Sequence, residues 1–518
     1  MTNRLVSWLC LVAALPASAQ NEPPLSAIDW LSESVQVTPA NPAVTTPHII
    51  DEPPVASDAS SPAVIVSSLD RPSADAIGLL APSVTGLPAA LWSGSDIVTI
   101  TELIRTDQSE DSLPALRDLY LTLLLSTADP PLPADGSLFL ARVDRLLELG
   151  AVEPAQALLE AADRSNADIF RRWFDVSLLT GTEEPPCNMI RTQPALLSTY
   201  PARIFCLARN GDWTAAALTL SNGRALDAIT PEEEALLSRF LDPELYEGEP
   251  PLAAPSRLSP LVFRLREAIG EGLPTAGLPR AFAHADLRST VAWRYRIEAA
   301  ERLVRTGAIP GTVLLAAYTE QRPAASGGVW DRARAIQAFD AAIAETDPAA
   351  VARTLPAAWS AMEEIKAETA FAALYAERLV SLDLPSEAAR LAFRIALVSP
   401  QYEAAALAHR STGPDEDLLI AIARGDRTAI LEAGASGVPH AEGIIAGFST
   451  ALAPEQLDML IDSGQVGEAI LNALALAQQG LSGDALALGE AIAALRRLGL
   501  EGAARSVSLQ YLILKRSG

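Results

Sequence analysis

Four turns in this chain share one spacing: Gly150 is followed five residues later by Ala155, Gly211 by Ala216, Gly464 by Ala469 and Gly499 by Ala504. Asp383 and Ala388 repeat the spacing with an acid in the turn, while Gly307 and Gly425 occupy similar turns followed by Thr312 and Ile430. Apolar residues recur three and four apart on both sides of such turns, as from Ala141 to Ala162, where two amphipathic segments meet at Leu149-Gly150-Ala151. That period belongs to helices with one buried face. The glycine closes the first helix at positive φ, where a side chain would clash, and the small alanine lets the second helix approach the first. A hairpin built this way keeps an apolar face that only the next hairpin covers, so hairpins stack. The spacing therefore predicts an all-α chain, an irregular α-solenoid of stacked helical hairpins.

Composition points the same way. Hydrophobic residues make up 49% of the chain and aromatics only 5%, so the apolar content is mostly Ala, Leu, Val and Ile, the residues of closely packed helices. At 518 residues the chain exceeds the size at which one globular core keeps growing, which fits either several domains or an elongated array.

The turns resemble those of tetratricopeptide-type repeats, where a Gly and an Ala hold the same relation. Near the end, the turns at Asp383, Gly425, Gly464 and Gly499 lie 35 to 42 residues apart, close to such repeats. Earlier gaps are longer, and the aromatic positions of the first repeat helix are not regularly present, hence an irregular array over residues 96–518. The resemblance implies a scaffold that binds proteins or peptides.

The N-terminus reads as an export signal. Met1 to Arg4 form a positive start, Leu5 to Leu15 an apolar stretch too short for a stable span, and Pro16-Ala17-Ser18-Ala19 a small-residue end, which predicts cleavage near Ala19 and a periplasmic or secreted product. No later apolar run is long enough to cross a bilayer, so no integral membrane span is expected.

Residues 20–95 are dense in Pro, Ser, Ala and Asp and read as a disordered tail. Two apolar islands stand out in it. Ser26 to Val35 places Ile28, Leu31 and Val35 on one helical face beside Trp30, a pattern suited to docking on a separate partner. The second, from Ala76 to Trp92, is expected to pack back on the body. Thr230-Pro231-Glu232-Glu233 has the residues of a capped helix start, and the Pro- and Gly-rich stretch 242–282, with one short helix, reads as the connection between a first lobe, 96–241, and a second, 283–518.

The net charge of −25 excludes a nucleic-acid partner, which needs clustered Lys and Arg. Once the leader and Cys10 are removed, Cys187 and Cys206 remain, and in an oxidising compartment they are expected to form a structural disulfide.

No catalytic, cofactor or metal site is predicted. The four histidines, His48, His284, His409 and His440, lack the spacing of a zinc site, and no nucleophile elbow, phosphate loop or dinucleotide fingerprint is present. His284 beside Asp286 is the nearest approach to an acid/base pair. The segment Tyr318 to Arg332 gathers Arg322, Ser326, two glycines and Trp330 into one turn. It reads either as a partner-binding turn with exposed amides or as a tight turn with Trp330 filling a core gap. The expectation is an exported helical-repeat scaffold binding an envelope partner, a protein complex or a cell-wall polymer. The alternative is a helical enzyme acting on cell-wall glycan, since superhelical domains of lytic transglycosylases look similar in outline, although the Glu-Ser pair of their catalytic domain is not evident.

Overall fold

A computed structural model describes residues 73–106, 112–196, 199–434, 441–449 and 454–514. These residues form helices and no strand; one isolated parallel bridge joins Leu80 and Ser126. The helices are α1 (Ile97–Arg105), α2 (Pro114–Leu125), α3 (Ser137–Glu148), α4 (Val152–Ala161), α5 (Ala167–Thr180), α6 (Glu184–Thr192), α7 (Tyr200–Arg209), α8 (Trp213–Ala225) and α9 (Pro231–Leu241). After a connection holding only α10 (Pro260–Ala268) and short 3-10 turns come α11 (Trp293–Val304), α12 (Gly311–Thr319), α13 (Val329–Ala344), α14 (Pro348–Glu364), α15 (Glu368–Ser381) and α16 (Ser386–Leu397). The array ends with α17 (Tyr402–Ala408), α18 (Pro414–Arg424), α19 (Arg427–Gly434), α20 (Glu442–Phe448), α21 (Glu455–Asp462), α22 (Val466–Leu481), α23 (Ala485–Arg497) and α24 (Glu501–Leu514). Successive helices pack in adjacent pairs, the arrangement of an α-solenoid.

One turn geometry recurs along the array and explains the five-residue spacing. At Gly150 the backbone is left-handed, with φ 80°. The next amide, Ala151, donates to Leu146 O at 2.7 Å, closing the end of α3 in a Schellman arrangement. Ala151 is at once the N-cap of α4, and its carbonyl accepts from Ala155 at 3.1 Å. A residue four past the cap points back at the preceding helix, and Ala155 is fully buried. The turns at Gly211, Gly464 and Gly499 repeat every one of these features, down to fully buried Ala216, Ala469 and Ala504.

Two further turns use the same geometry without glycine. Thr346 and Lys366 are left-handed at φ 55° and 57°, the following amides bond back to Ala342 O and Met362 O, and the residues five on, Val351 and Phe371, are buried. Gly425 with Ile430 also conforms. Asp383 does not: it stays out of the left-handed region, and Pro385 caps the next helix instead. Gly307 is left-handed, but α12 starts only after Pro310, which leaves Thr312 exposed in its first turn.

Within the stretch assigned to the tail by composition, the apolar island Ala76 to Trp92 packs on the folded body as expected, and the ordered part extends over residues 73–95. Asp75 is buried and accepts from Gly136 N and Phe139 N, each at 2.7 Å, at the start of α3. Arg142, also fully buried, ties three segments together. Its Nε donates to Leu124 O at 2.7 Å, Nη1 to Ile77 O at 2.8 Å and Nη2 to Ser126 O at 3.0 Å. Burial pulls its pKa down to about 10, with the Asp75 carboxylate opposing, so it stays a cation at neutral pH. The strap then crosses to the far end of the chain. Gly467 N, in the first turn of α22, donates to Leu91 O at 2.9 Å, and a Cβ built on Gly467 would lie 2.5 Å from the Trp92 ring.

The two ends of the array thus meet. Ala115 N, at the open start of α2, donates to the Gln510 side chain of α24 at 2.7 Å across 395 residues. One apolar core runs through both halves. The Thr230 to Glu233 signal forms a full capping box at α9.

These contacts separate two glycines that look alike in sequence. Left-handed backbone costs a non-glycine residue about 1 kcal/mol or more, and Gly211→Ala should lower stability by roughly that amount, because nothing lies within 4 Å of its added Cβ. Gly150→Ala should cost at least about 1 kcal/mol more, since its Cβ would meet Leu303 and Arg280 at 2.9 Å. Urea midpoints at constant slope measure both. By the same argument Thr346→Gly should raise the midpoint, by up to about 1 kcal/mol; a drop would show that Thr346 is not held in that conformation against its preference.

Candidate functional site

One recess lies between α11, α12 and the end of the 3-10 segment Arg280–Leu287. It has a volume of about 370 Å³ and is lined by Leu287, Arg296, Val313, Ala316, Ala317, Thr319 and Glu320. Its floor is aliphatic and its rim carries one ion pair, Arg296 Nη1 to Glu320 Oε1 at 2.6 Å. The wall beside it is rigid. Trp293 donates its indole N–H to Ala317 O at 2.7 Å and packs on Trp330 with ring centroids 4.9 Å apart. Gln337 Nε2 donates to both Tyr318 O and Gln321 O at 2.6 Å, fixing the end of α12.

Behind this wall sits a buried charge. Glu301 accepts from the Tyr318 hydroxyl at 2.7 Å and takes a bidentate pair from Arg332, at 2.9 and 2.7 Å. Burial and the adjacent Glu301 carboxylate push the Tyr318 pKa well above its ordinary value, so Tyr318 remains a donor to Glu301. A carboxylate left without these partners at such depth would be costly, and the network therefore holds α11, α12 and α13 in one register.

Of the sequence-marked segment Tyr318 to Arg332, Thr319 and Glu320 line the recess, and Arg322, Ser326 and Trp330 do not. Trp330 is half-buried against Trp293, so it fills a packing position, whereas Arg322 and Ser326 are exposed. Gly327 and Gly328 have φ of 92° and 52°, and Arg334 ties the turn down by donating to Ala325 O at 2.9 Å. Ile28, Trp30 and Leu31 lie outside the described residues. The segment singled out by sequence contains Glu320 but not Trp293 or Arg296, whose only sequence trace is a charged, aromatic first turn on α11 that reads as a solvated helix face.

Cys187 of α6 and Cys206 of α7 form a buried disulfide with Cα atoms 5.1 Å apart. It staples consecutive helices. His284 and Asp286 do not pair. His284 Nε2 faces Gly150 O at 2.7 Å, and because a carbonyl only accepts, that nitrogen carries a proton. Asp286 accepts from Thr275. Among the described residues no group of His, Cys, Asp and Glu is placed to hold a metal ion, and no helix is long and apolar enough to cross a membrane.

Burial depresses the His284 pKa below 6.5, against the pull of the Gly150 carbonyl and Glu153. A histidine held neutral in the fold contributes stability above the unfolded pKa and loses it as pH falls, because the unfolded chain takes up the proton first. Stability should therefore decline as pH drops below 6.5, and His284→Gln should flatten that slope. An unchanged slope in the variant would show that His284 is not the group responsible.

No protein-family model, curated protein or solved structure matches this chain.

Proposed function

We propose that this chain is an exported helical-repeat scaffold whose α11–α12 recess receives an apolar segment of an envelope protein. The observation that carries the reading is the recess itself, aliphatic on its floor and bounded by a single charged pair. Its volume falls within the range of about 300–1,000 Å³ that binding pockets occupy. Aliphatic floors suit Leu- or Val-bearing protein segments better than sugar rings, which stack on exposed aromatic faces; here the nearest tryptophans pack on each other. A protein partner is therefore favoured over a cell-wall polymer. Export is supported by the leader-like N-terminus and by the Cys187–Cys206 bond, which persists in oxidising compartments. The Glu301 network supplies the rigidity a preformed site needs.

Ala316 is exposed on the recess floor, so Ala316→Glu places a charge in the recess without disturbing the core. Purified mature chain incubated with envelope extract should retain a protein that the variant retains at least about tenfold less well. Equal recovery by both, or retention of purified peptidoglycan alone, would refute a protein-binding recess.

A further inference from the structure

We infer that the Cys187–Cys206 bond is a redox latch: a dithiol that reduces it releases residues 187–196 from α7 while the rest of the array stays folded. The seam between α6 and α7 is built unlike its neighbours. α5 and α6 are joined by the short turn, with Gly181 left-handed at φ 77°, Thr182 N donating to Ser177 O at 2.8 Å and Pro186, five residues past the glycine, buried. α7 and α8 are joined in the same way at Gly211. The link from α6 to α7 runs over residues 193–199, longer than the three-residue turns on either side. It does not set the pairing of its two helices as those turns do.

Side chains must therefore hold α6 against α7, and α6 offers few. It is nine residues long, Pro186, Cys187 and Ile190 are its buried residues, and the chain beyond it is exposed from Arg191 to Ala195. Met189 and Leu196 add half-buried apolar contact. Among the described residues, the side-chain hydrogen bond within 184–196 is local, from Thr192 Oγ1 to Met189 O at 3.0 Å, and no side chain of this stretch pairs with another helix. A helix this short is marginal without packing, so the covalent bond supplies the tie that turn geometry supplies elsewhere.

The surroundings are anchored independently, which keeps the release local. Glu183, just ahead of α6, is buried and pairs with Arg209 of α7 at 3.0 Å and Arg264 of α10 at 3.4 Å. α7 is held from its other side: Phe205 stacks on Phe240 of α9 with ring centroids 6.0 Å apart, and a Cβ built on Gly223 of α8 would lie 2.9 Å from the Tyr200 ring. None of these contacts passes through the disulfide.

Reduction is a two-step exchange. A thiolate of the dithiol attacks one sulfur, and the S–S bond breaks as a mixed disulfide forms; the second thiol then displaces the remaining cysteine. The two protons of the dithiol end on Cys187 and Cys206, and the reductant leaves as a disulfide. Both sulfurs belong to buried residues, so the reductant enters through transient opening of α6, whose outer side faces solvent.

Dithiothreitol, added to the mature chain without denaturant, is the probe. After reduction, residues 187–196 should exchange amide hydrogens at least about tenfold faster than in the oxidised chain, and iodoacetamide should label both Cys187 and Cys206. α3 and α22 should keep their protection. Cys187→Ser/Cys206→Ser should show the same exchange pattern with no reductant, which separates the bond from any other effect of the reagent. Reduced thiols that stay unlabelled beneath a protected α6 would make the bond a passive staple and overturn the inference. So would protection lost from α3 and α22 together with α6, or a bond that yields to dithiothreitol only in denaturant.

Discussion

Many hairpins in this protein turn on a single left-handed residue. At Gly150 and its counterparts that residue lets the next amide reach back five positions to close one helix, and the following residue begins the other. The link between helices is therefore three residues long, and such brevity sets the pairing: the fourth residue past the cap is forced against the preceding helix. That residue is a buried alanine at Ala155 and Ala216 and a larger buried residue at Val351 and Phe371, and the turn survives either way.

Stacked hairpins still have two ends, and the ends of a solenoid expose apolar surface unless capped. Here each end caps the other. The strap from Asp75 to Trp92 is stitched to α3 by buried carboxylate and guanidinium contacts and then lies over α22, while Gln510 completes the N-terminus of α2. Arg142 satisfies carbonyls that would otherwise be buried without donors, which is why a charged side chain is tolerated at full burial.

The recess follows from the same economy of turns. α11, α12 and α13 are joined by longer links than the three-residue hairpins, at Arg305 to Pro310 and across Glu320 to Gly328. The Glu301, Tyr318 and Arg332 network then ties the three helices to one another. The reactive-looking His284 and Asp286, by contrast, are absorbed into packing, one holding the α3–α4 turn and the other a 3-10 turn.

Much of the architecture was legible along the chain because helix periodicity, glycine turns and caps are local: a backbone must satisfy its own hydrogen bonds within a few residues, and the residues that allow this are recognisable. The all-α class, the stacked hairpins, the Thr230 capping box and the Cys187–Cys206 bond all stand on such short-range rules. Thr346 and Lys366 carry side chains in a conformation that glycine usually marks, and for the island Ala76 to Trp92 the apolar pattern shows that it packs on the body but not where, because proline density and periodicity say nothing about a distant acceptor. The meeting of Trp92 with Gly467, of Ala115 with Gln510, and of Arg296 with Glu320 was decided only in three dimensions. Those contacts join groups that no local period relates, so their energy exists only once the helices between them have packed.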